Sequence, residues 1–455
     1  MQKFDLIVIG AGSGLNVAAE ALERGWKVAV IENGPMGGTC LNRGCIPSKM
    51  LIHHADVAQT IRDSQRFHIK SKIARIDFKK IVREVNSHVD EEAAGILAGW
   101  KNASNGKVFQ ATARFTGGRT LQAGSAIIQG KNIVIAAGCR PSIPPIPGLA
   151  GTPFLTSDDA LRLEKQPKTM AILGGGYIAA ELAHFFGALG TKVTIIQRNR
   201  LLVPDEDEEV AQAFTKEFSK RYAVHLEHVI EKVAYKNKAF TLSIAKKEGG
   251  GKKTIKADQL LIATGRIPNS DWLHVKEAGV EVNEHGFVKT NPFLETTAPN
   301  VWALGDIVGN YMFKHSANYE AEIVANNLFH AEHKRSVDYT AMPHAVFSNP
   351  PMAGVGKTEQ ELKAENTHYS KAVYPYAHTG MGGALKDSTG FVKVLAEPET
   401  GKVLGCHILG YEAPTLLHEV LVLMRNHPNP VQAMQNTIFI HPALSEVVQR
   451  AFYQV

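Results

Sequence analysis

A short apolar strand followed at once by a glycine-rich turn occurs twice in this chain, and that repetition limits the fold more than any other feature. Phe4–Ile9 reads as a strand, Gly10-Ala11-Gly12-Ser13-Gly14 as a tight turn, and Ala18–Arg24 as the following helix. In such a unit the first glycine permits the turn and the second lets the backbone approach a ligand. The helix N-terminus then faces a pyrophosphate. The next strand, Trp26–Ile31, ends in Glu32, spaced to bind a ribose 2′-OH. Leu15 stands at the third fingerprint position, where a glycine would allow close helix–strand packing.

The second copy is Thr169–Leu173, then Gly174-Gly175-Gly176-Tyr177-Ile178-Ala179, then a helix over Ala180–Leu189. Its following strand, Lys192–Ile196, reaches Gln197-Arg198-Asn199-Arg200 where an NAD-preferring site would place an acid. Guanidinium groups suit a 2′-phosphate, which favours NADPH over NADH; a solvated basic turn is the other reading. The expected architecture is α/β, with two Rossmann-like dinucleotide-binding domains and a C-terminal α+β dimerisation domain.

Between the two fingerprints lies Gly37-Gly38-Thr39-Cys40-Leu41-Asn42-Arg43-Gly44-Cys45-Ile46-Pro47-Ser48-Lys49. A close thiol pair can cycle between dithiol and disulfide, passing two electrons. Residues five apart on an ideal helix rise about 7.5 Å, so the stretch must be distorted locally to close a disulfide. Gly44 and Pro47 supply the freedom and the punctuation. A structural disulfide and half of a zinc site are the competing readings, although Cys139 and Cys406 form no second ligand pair. Two dinucleotide sites and one dithiol suggest electron flow from nicotinamide through flavin to disulfide.

Three further stretches complete a pattern: Ile135-Ala136-Ala137-Gly138-Cys139-Arg140-Pro141, Ala263-Thr264-Gly265-Arg266-Ile267-Pro268-Asn269 and Asn300-Val301-Trp302-Ala303-Leu304-Gly305-Asp306. With these the chain resembles, over essentially its whole length, the flavin-dependent pyridine nucleotide-disulfide oxidoreductases. Within that family Tyr177–His184, Phe313–Asn318 and Ile440–Val448 resemble the mycothione reductase branch, and dihydrolipoamide dehydrogenases share nearly every motif. The resemblance implies FAD and NADPH, with NADH possible, as cofactors. Implied catalytic residues are Cys40, Cys45, Lys49, Glu181, His441 and Glu446. Implied cofactor-binding residues are Gly10, Gly12, Gly14, Glu32, Thr39, Lys49, Gly138, Asp306, Gly174, Gly176, Gln197, Arg198, Arg200 and Gly265, with Asp306 near the FAD ribitol.

Read alone, His441-Pro442 with Glu446 five residues on is a turn and helix start. In the family such a histidine is the acid–base group of disulfide exchange and the glutamate orients it. It reaches the redox disulfide of the other subunit, which implies a homodimer with two shared active sites. Lys49 and Glu181 match an ion pair that tunes the reactive flavin nitrogen. A small-molecule disulfide is the implied substrate. Dihydrolipoamide oxidation with NAD is the alternative enzyme, and a flavin redox sensor without turnover is the alternative from another class.

With 455 residues the chain exceeds one ordinary core. The expected division is an FAD domain over 1–147, a nucleotide domain over 148–268, a segment completing the FAD site over 269–340 and an interface domain over 341–455. The formal charge of +6 is dispersed, with no footprint for nucleic acid. No apolar run reaches membrane-spanning length, and the first strand leaves no room for a signal peptide, so a cytoplasmic location is the default expectation. Cys139 and Cys406 read as reduced bystanders, and the 19 histidines form no metal-ligand constellation.

Overall fold

The computed structural model describes residues 1–455. Its first sheet has a parallel core in which Gln2–Ile9 lies between Val28–Glu32 and Ala126–Ile135, flanked by Gly106–Gln110 and Val301–Ala303. Side chains alternate across a strand. Leu6 and Val8 therefore join one core with the helices Gly14–Glu23 and Lys314–Phe329, while Ile7 and Ile9 join another beneath the sheet. Burial on both faces explains the continuous apolar run Leu6–Ile9. The returning strand Val301–Ala303 comes from beyond the second nucleotide-binding unit and pairs with Ile133–Ile135.

The second sheet is also parallel, with Ala223–His225, Lys192–Ile196, Thr169–Leu173 and Gln259–Ile262 in spatial order. One face packs on Phe185, Phe186, Phe214 and Phe218, the other on a three-stranded antiparallel sheet, His228–Lys236, Ala239–Lys246 and Lys253–Ala257. The basic, glycine-containing stretch after Lys246 is the turn joining the last two of these strands. Cys139–Pro141 and Arg266–Pro268 pair antiparallel and tie the first unit to the second.

The C-terminal sheet is antiparallel, in the order Pro343–Val346, Met352–Gly356, Val403–Leu409, Phe391–Ala396, Ser370–Pro375. Val355, Cys406, Val392 and Val394 pack beneath the helices Ala413–Asn426, Pro430–Asn436 and Glu446–Phe452. The alternate residues form a different row: His344 lies opposite Gly354, Gly354 opposite His407, and His407 opposite Lys393. That polar row meets the acidic segment Glu206-Asp207-Glu208-Glu209 of the second unit. No helix is long and apolar enough to cross a membrane.

Candidate active site

Cys40 lies in the short helix Gly38–Arg43, and Cys45 is the first residue of the helix Cys45–Asp63. Gly44 interrupts them at φ −143° and ψ −118°, the local distortion that the spacing requires. A Cβ on Gly44 would stand 2.9 Å from the Thr39 carbonyl oxygen and 3.3 Å from Cys40 Cα, so a side chain there would press on the backbone that carries Cys40. Both cysteines are free, half-buried thiols, and each shifts the other's ionisation. The hydrogen bond from Cys40 brings the Cys45 thiol down to about 7; burial opposes this and the Lys49 charge assists it. Hydrogen bonding to that thiolate and burial push the Cys40 thiol up. The N–H groups of the helix start and the Lys49 charge both favour an anion at Cys45.

Lys49, one turn further along, is joined to Glu181 of the second unit by contacts of 2.9 and 2.8 Å from Nζ to the two carboxylate oxygens. Glu181 also accepts the Phe347 N–H at 3.0 Å, and the Lys49 ammonium lies 4.8 Å from the centre of the Phe347 ring. Two turns on, Asp56 meets the buried His184 at 2.7 Å, so the helix Cys45–Asp63 is pinned to the helix Tyr177–Ala188 at two points. Leu51, Ile52 and Ala55 fill the space between them with Phe185 and Phe186.

The first glycine turn has the features a flavin dinucleotide requires. Gly10 has φ +100°, and a Cβ there would lie 2.3 Å from the Ala136 carbonyl oxygen. At Gly12 the nearest atom to a Cβ would be 3.8 Å away, leaving the backbone approachable. Close packing falls on Gly14, where a Cβ would meet Val8 Cγ1 at 2.7 Å and Ala136 Cβ at 2.8 Å. The helix begins at Gly14, earlier than the sequence pattern suggests, so Leu15 is free of that constraint and packs at the edge of the core. Glu32 accepts the N–H groups of Ala11 and Gly34, both at 2.8 Å, which holds its carboxylate at the rim of the turn. Thr39 is half-buried beside Gly38, whose Cα approaches Gly12. Gly138 precedes the strand Cys139–Pro141 with φ +61°, and Asp306 sits in the turn after Val301–Ala303. Burial raises the Asp306 carboxyl and the nearby Arg266 opposes it.

At the second turn Gly174 repeats Gly10, with φ +116° and a hypothetical Cβ 2.1 Å from the Ala263 carbonyl oxygen. Gly176 faces open space and precedes the helix Tyr177–Ala188. Gly265, at φ +105°, precedes the strand Arg266–Pro268. The following basic stretch is more divided than its sequence suggests. Gln197 is turned inward, 5% exposed, and donates to the Leu201 carbonyl at 3.2 Å. Arg200 is paired with Glu208, while Arg198 is exposed and has no carboxylate partner. Only Arg198 of the three is uncommitted.

His441 lies between the helices Pro430–Asn436 and Glu446–Phe452, and its Nδ1 meets Glu446 Oε1 at 2.9 Å. The other carboxylate oxygen accepts the Ala443 N–H at 3.3 Å. Hydrogen bonding from His441 holds the Glu446 carboxyl below its ordinary value, against burial. The imidazole itself is 76% exposed, and the neighbouring Ile438 and Ile440 are 97% and 80% exposed. In one chain this segment is therefore an oriented histidine on an apolar outer face, and it is not gathered with Cys40 and Cys45.

Two groupings were not singled out from sequence. Lys393 is buried and contacts Asp207 at 2.8 Å, Glu209 at 2.9 Å and Glu359 at 2.6 Å, linking the C-terminal sheet to the second unit. Beside it, Glu206 meets His344 at 2.9 Å, and the Tyr177 ring stacks with those of Phe313 and His344. The acidic run 205–209 was the one local signal for these contacts. The other grouping joins Ser13 of the first glycine turn to Lys314 and Asn318, both within the segment Phe313–Asn318 that carries the resemblance.

Glycine turns, dithiol and ion pair together define a flavoprotein disulfide oxidoreductase. The chain belongs to the pyridine nucleotide-disulphide oxidoreductases, whose family model matches residues 4–321, and the dimerisation domain of that family matches residues 342–452. These are FAD-dependent enzymes that act on sulfur groups with NAD(P)H as partner. A mycothione reductase of Mycobacterium tuberculosis is 36% identical over 462 residues, covering 99% of both chains. A dihydrolipoyl dehydrogenase of Geobacillus stearothermophilus is 32% identical, covering 98% of this chain and 95% of its own. Among solved structures, the HOCl-induced flavoprotein disulfide reductase RclA from Escherichia coli superposes with a TM-score of 0.88. It is 29% identical, with 99% of this chain and 100% of that chain covered.

Proposed function

We propose that this enzyme carries electrons from NADPH to the disulfide of a small thiol, in the manner of a mycothione reductase, as a homodimer with shared active sites. The Cys40–Cys45 pair, broken by Gly44 at a helix start and with Lys49–Glu181 beside it, carries this reading. Residues 1–147 and 269–340 would hold FAD, 148–268 the pyridine nucleotide, and 341–455 the subunit interface. When bound, the flavin supplies two-electron exchange between nicotinamide and the Cys40–Cys45 disulfide.

Cys40 is the interchange thiol. Its proton passes to the partner subunit's His441, and its thiolate attacks one sulfur of the substrate disulfide. A Cys40–substrate bond forms, the substrate S–S bond breaks, and the histidine returns the proton to the departing thiolate. Cys45 then attacks Cys40 Sγ as a thiolate, restoring the protein disulfide, and the second substrate sulfur leaves as a thiolate that takes its proton from water. Two electrons move from the dithiol to the substrate. Glu446 fixes the imidazole, and the exposed apolar segment around Ile438 and Ile440 supports burial against a second copy.

His441→Gln is expected to lower kcat by about 10²–10⁴-fold with pyridine-nucleotide binding intact, read from steady-state rates and nucleotide titration. Arg198→Leu is expected to raise KM for NADPH about 10–100-fold and leave KM for NADH nearly unchanged, since a charge-assisted phosphate contact contributes about 1.5–3 kcal/mol. The substrate is tested with matched initial rates on mycothione, glutathione disulfide and lipoamide. Preference for a small-thiol disulfide with NADPH supports the proposal. An NADH-linked preference for lipoamide would favour the reading as a dihydrolipoamide dehydrogenase, which the inward Gln197 and the paired Arg200 also support.

A further inference from the structure

The turn Gly305–Ile307 carries Asp306, and the group that fixes it comes from outside the turn. Gly305 has φ +76°, and its N–H donates to Glu320 Oε2 at 2.5 Å. Glu320 lies on the helix Lys314–Phe329, is 1% exposed, and takes its three hydrogen bonds from neutral donors. The other two are Tyr339 Oη at 2.6 Å and Ser316 Oγ at 3.4 Å. Tyr339 is held in turn by Asn310 Nδ2 at 3.2 Å, and the preceding Asp338 pairs with Arg425 of the C-terminal unit at 2.9 Å. The carbonyl of Asp306 accepts the Cys139 thiol at 3.2 Å. The backbone is thus anchored just before and just after the Asp306 side chain.

We propose that Glu320 is a positioning residue for flavin binding, fixing the Gly305 N–H so that the Asp306 carboxylate is set for the ribityl hydroxyls of FAD. Tyr339 holds the Glu320 carboxylate in place. The inference rests on the proposed FAD site and adds to it a residue that acts through Asp306. A buried carboxyl held only by neutral donors is a costly anchor for a turn. Burial raises the Glu320 carboxyl, its hydrogen bonds oppose this, and the nearby Asp306 charge adds to the rise. Three donors converge on it, so the site calls for a group that only accepts. A glutamine amide would turn its NH2 towards one of those donors and loosen the grip on Gly305.

The test reads flavin retention. Full-length holoenzyme is diluted into flavin-free buffer, and FAD release is followed by the rise in flavin fluorescence. Glu320→Gln and Asp306→Asn are each expected to speed release about tenfold. The double variant is expected to release FAD no more than about twice as fast as Asp306→Asn alone, because both changes act on one contact. Effects that multiply in the double variant would make Glu320 an independent structural group and overturn the proposal, as would an unchanged rate in Glu320→Gln. Tyr339→Phe, which removes one donor and no charge, is expected to speed release about threefold. It carries the same comparison should Glu320→Gln fail to fold, and an unchanged rate there would then overturn the proposal. Failure of the underlying reading looks different: Asp306→Asn alone would leave FAD release unchanged.

Discussion

Cys40→Ser is expected to retain flavin and pyridine-nucleotide binding while disulfide turnover falls to background. The substitution removes the nucleophile and leaves a hydroxyl in its place. A serine hydroxyl is far less acidic than a thiol and cannot form the mixed disulfide on which the exchange depends. The surroundings should tolerate it, since the side chain is half-buried and its partner is the Cys45 thiol. Steady-state rates with a disulfide, beside flavin content and a nucleotide titration, separate the two effects. Unchanged turnover would remove the cysteine pair from the mechanism.

The second large effect concerns stability. Lys393→Met is expected to destabilise the protein by about 3 kcal/mol, at the lower end of what is lost when one member of a buried ion pair is removed. Asp207 is fully buried, and its other contacts are the backbone N–H groups of Glu209 and Glu359. Glu359 loses less, because Lys363 at 2.9 Å and Lys371 at 3.2 Å remain. The pH dependence has a definite sign. Burial raises the carboxyls of Asp207 and Glu359, but His407 and Lys393 around the first and Lys393 and Lys363 around the second bring both below their ordinary values. Their contribution is therefore complete above the unfolded carboxylate range and is lost as pH falls through the folded values. Burial lowers Lys393, and Asp207 and Glu359 more than reverse it, so its contribution is lost only as pH rises beyond the ordinary lysine range. Thermal unfolding of wild type and variant should show the gap in Tm at neutral pH narrowing towards acid. An equal gap at every pH would point to lost packing instead of lost charge.

What the sequence discloses follows the range of the interactions. Thr169–Leu173 and Lys192–Ile196 are strands with the bounds their apolar runs suggest, because each is buried on both faces. The glycines at 10 and 174 are legible because a carbonyl oxygen leaves no room for a side chain, a local requirement. Packing at Gly14 was harder to place, since it depends on where the helix starts. The inward turn of Gln197 depends on space left by Gly175, where a Cβ would lie 2.7 Å from Gln197 Nε2. Lys49 with Glu181, 132 residues away, was reachable only through resemblance. Lys393 with Asp207, 186 residues apart, carried no comparable signal. A charged residue in an apolar strand such as Phe391–Ala396 hints at a buried partner without saying which.

The central claim is that the electrons of a pyridine nucleotide reach Cys40 and Cys45. Anaerobic addition of one equivalent of NADPH per subunit, then alkylation and peptide mass spectrometry, measures this most directly. Both peptides, protected in the oxidised holoenzyme, are expected to become alkylated together while Cys139 and Cys406 stay unmodified. NADPH consumed with no new thiol at Cys40 or Cys45 would contradict it.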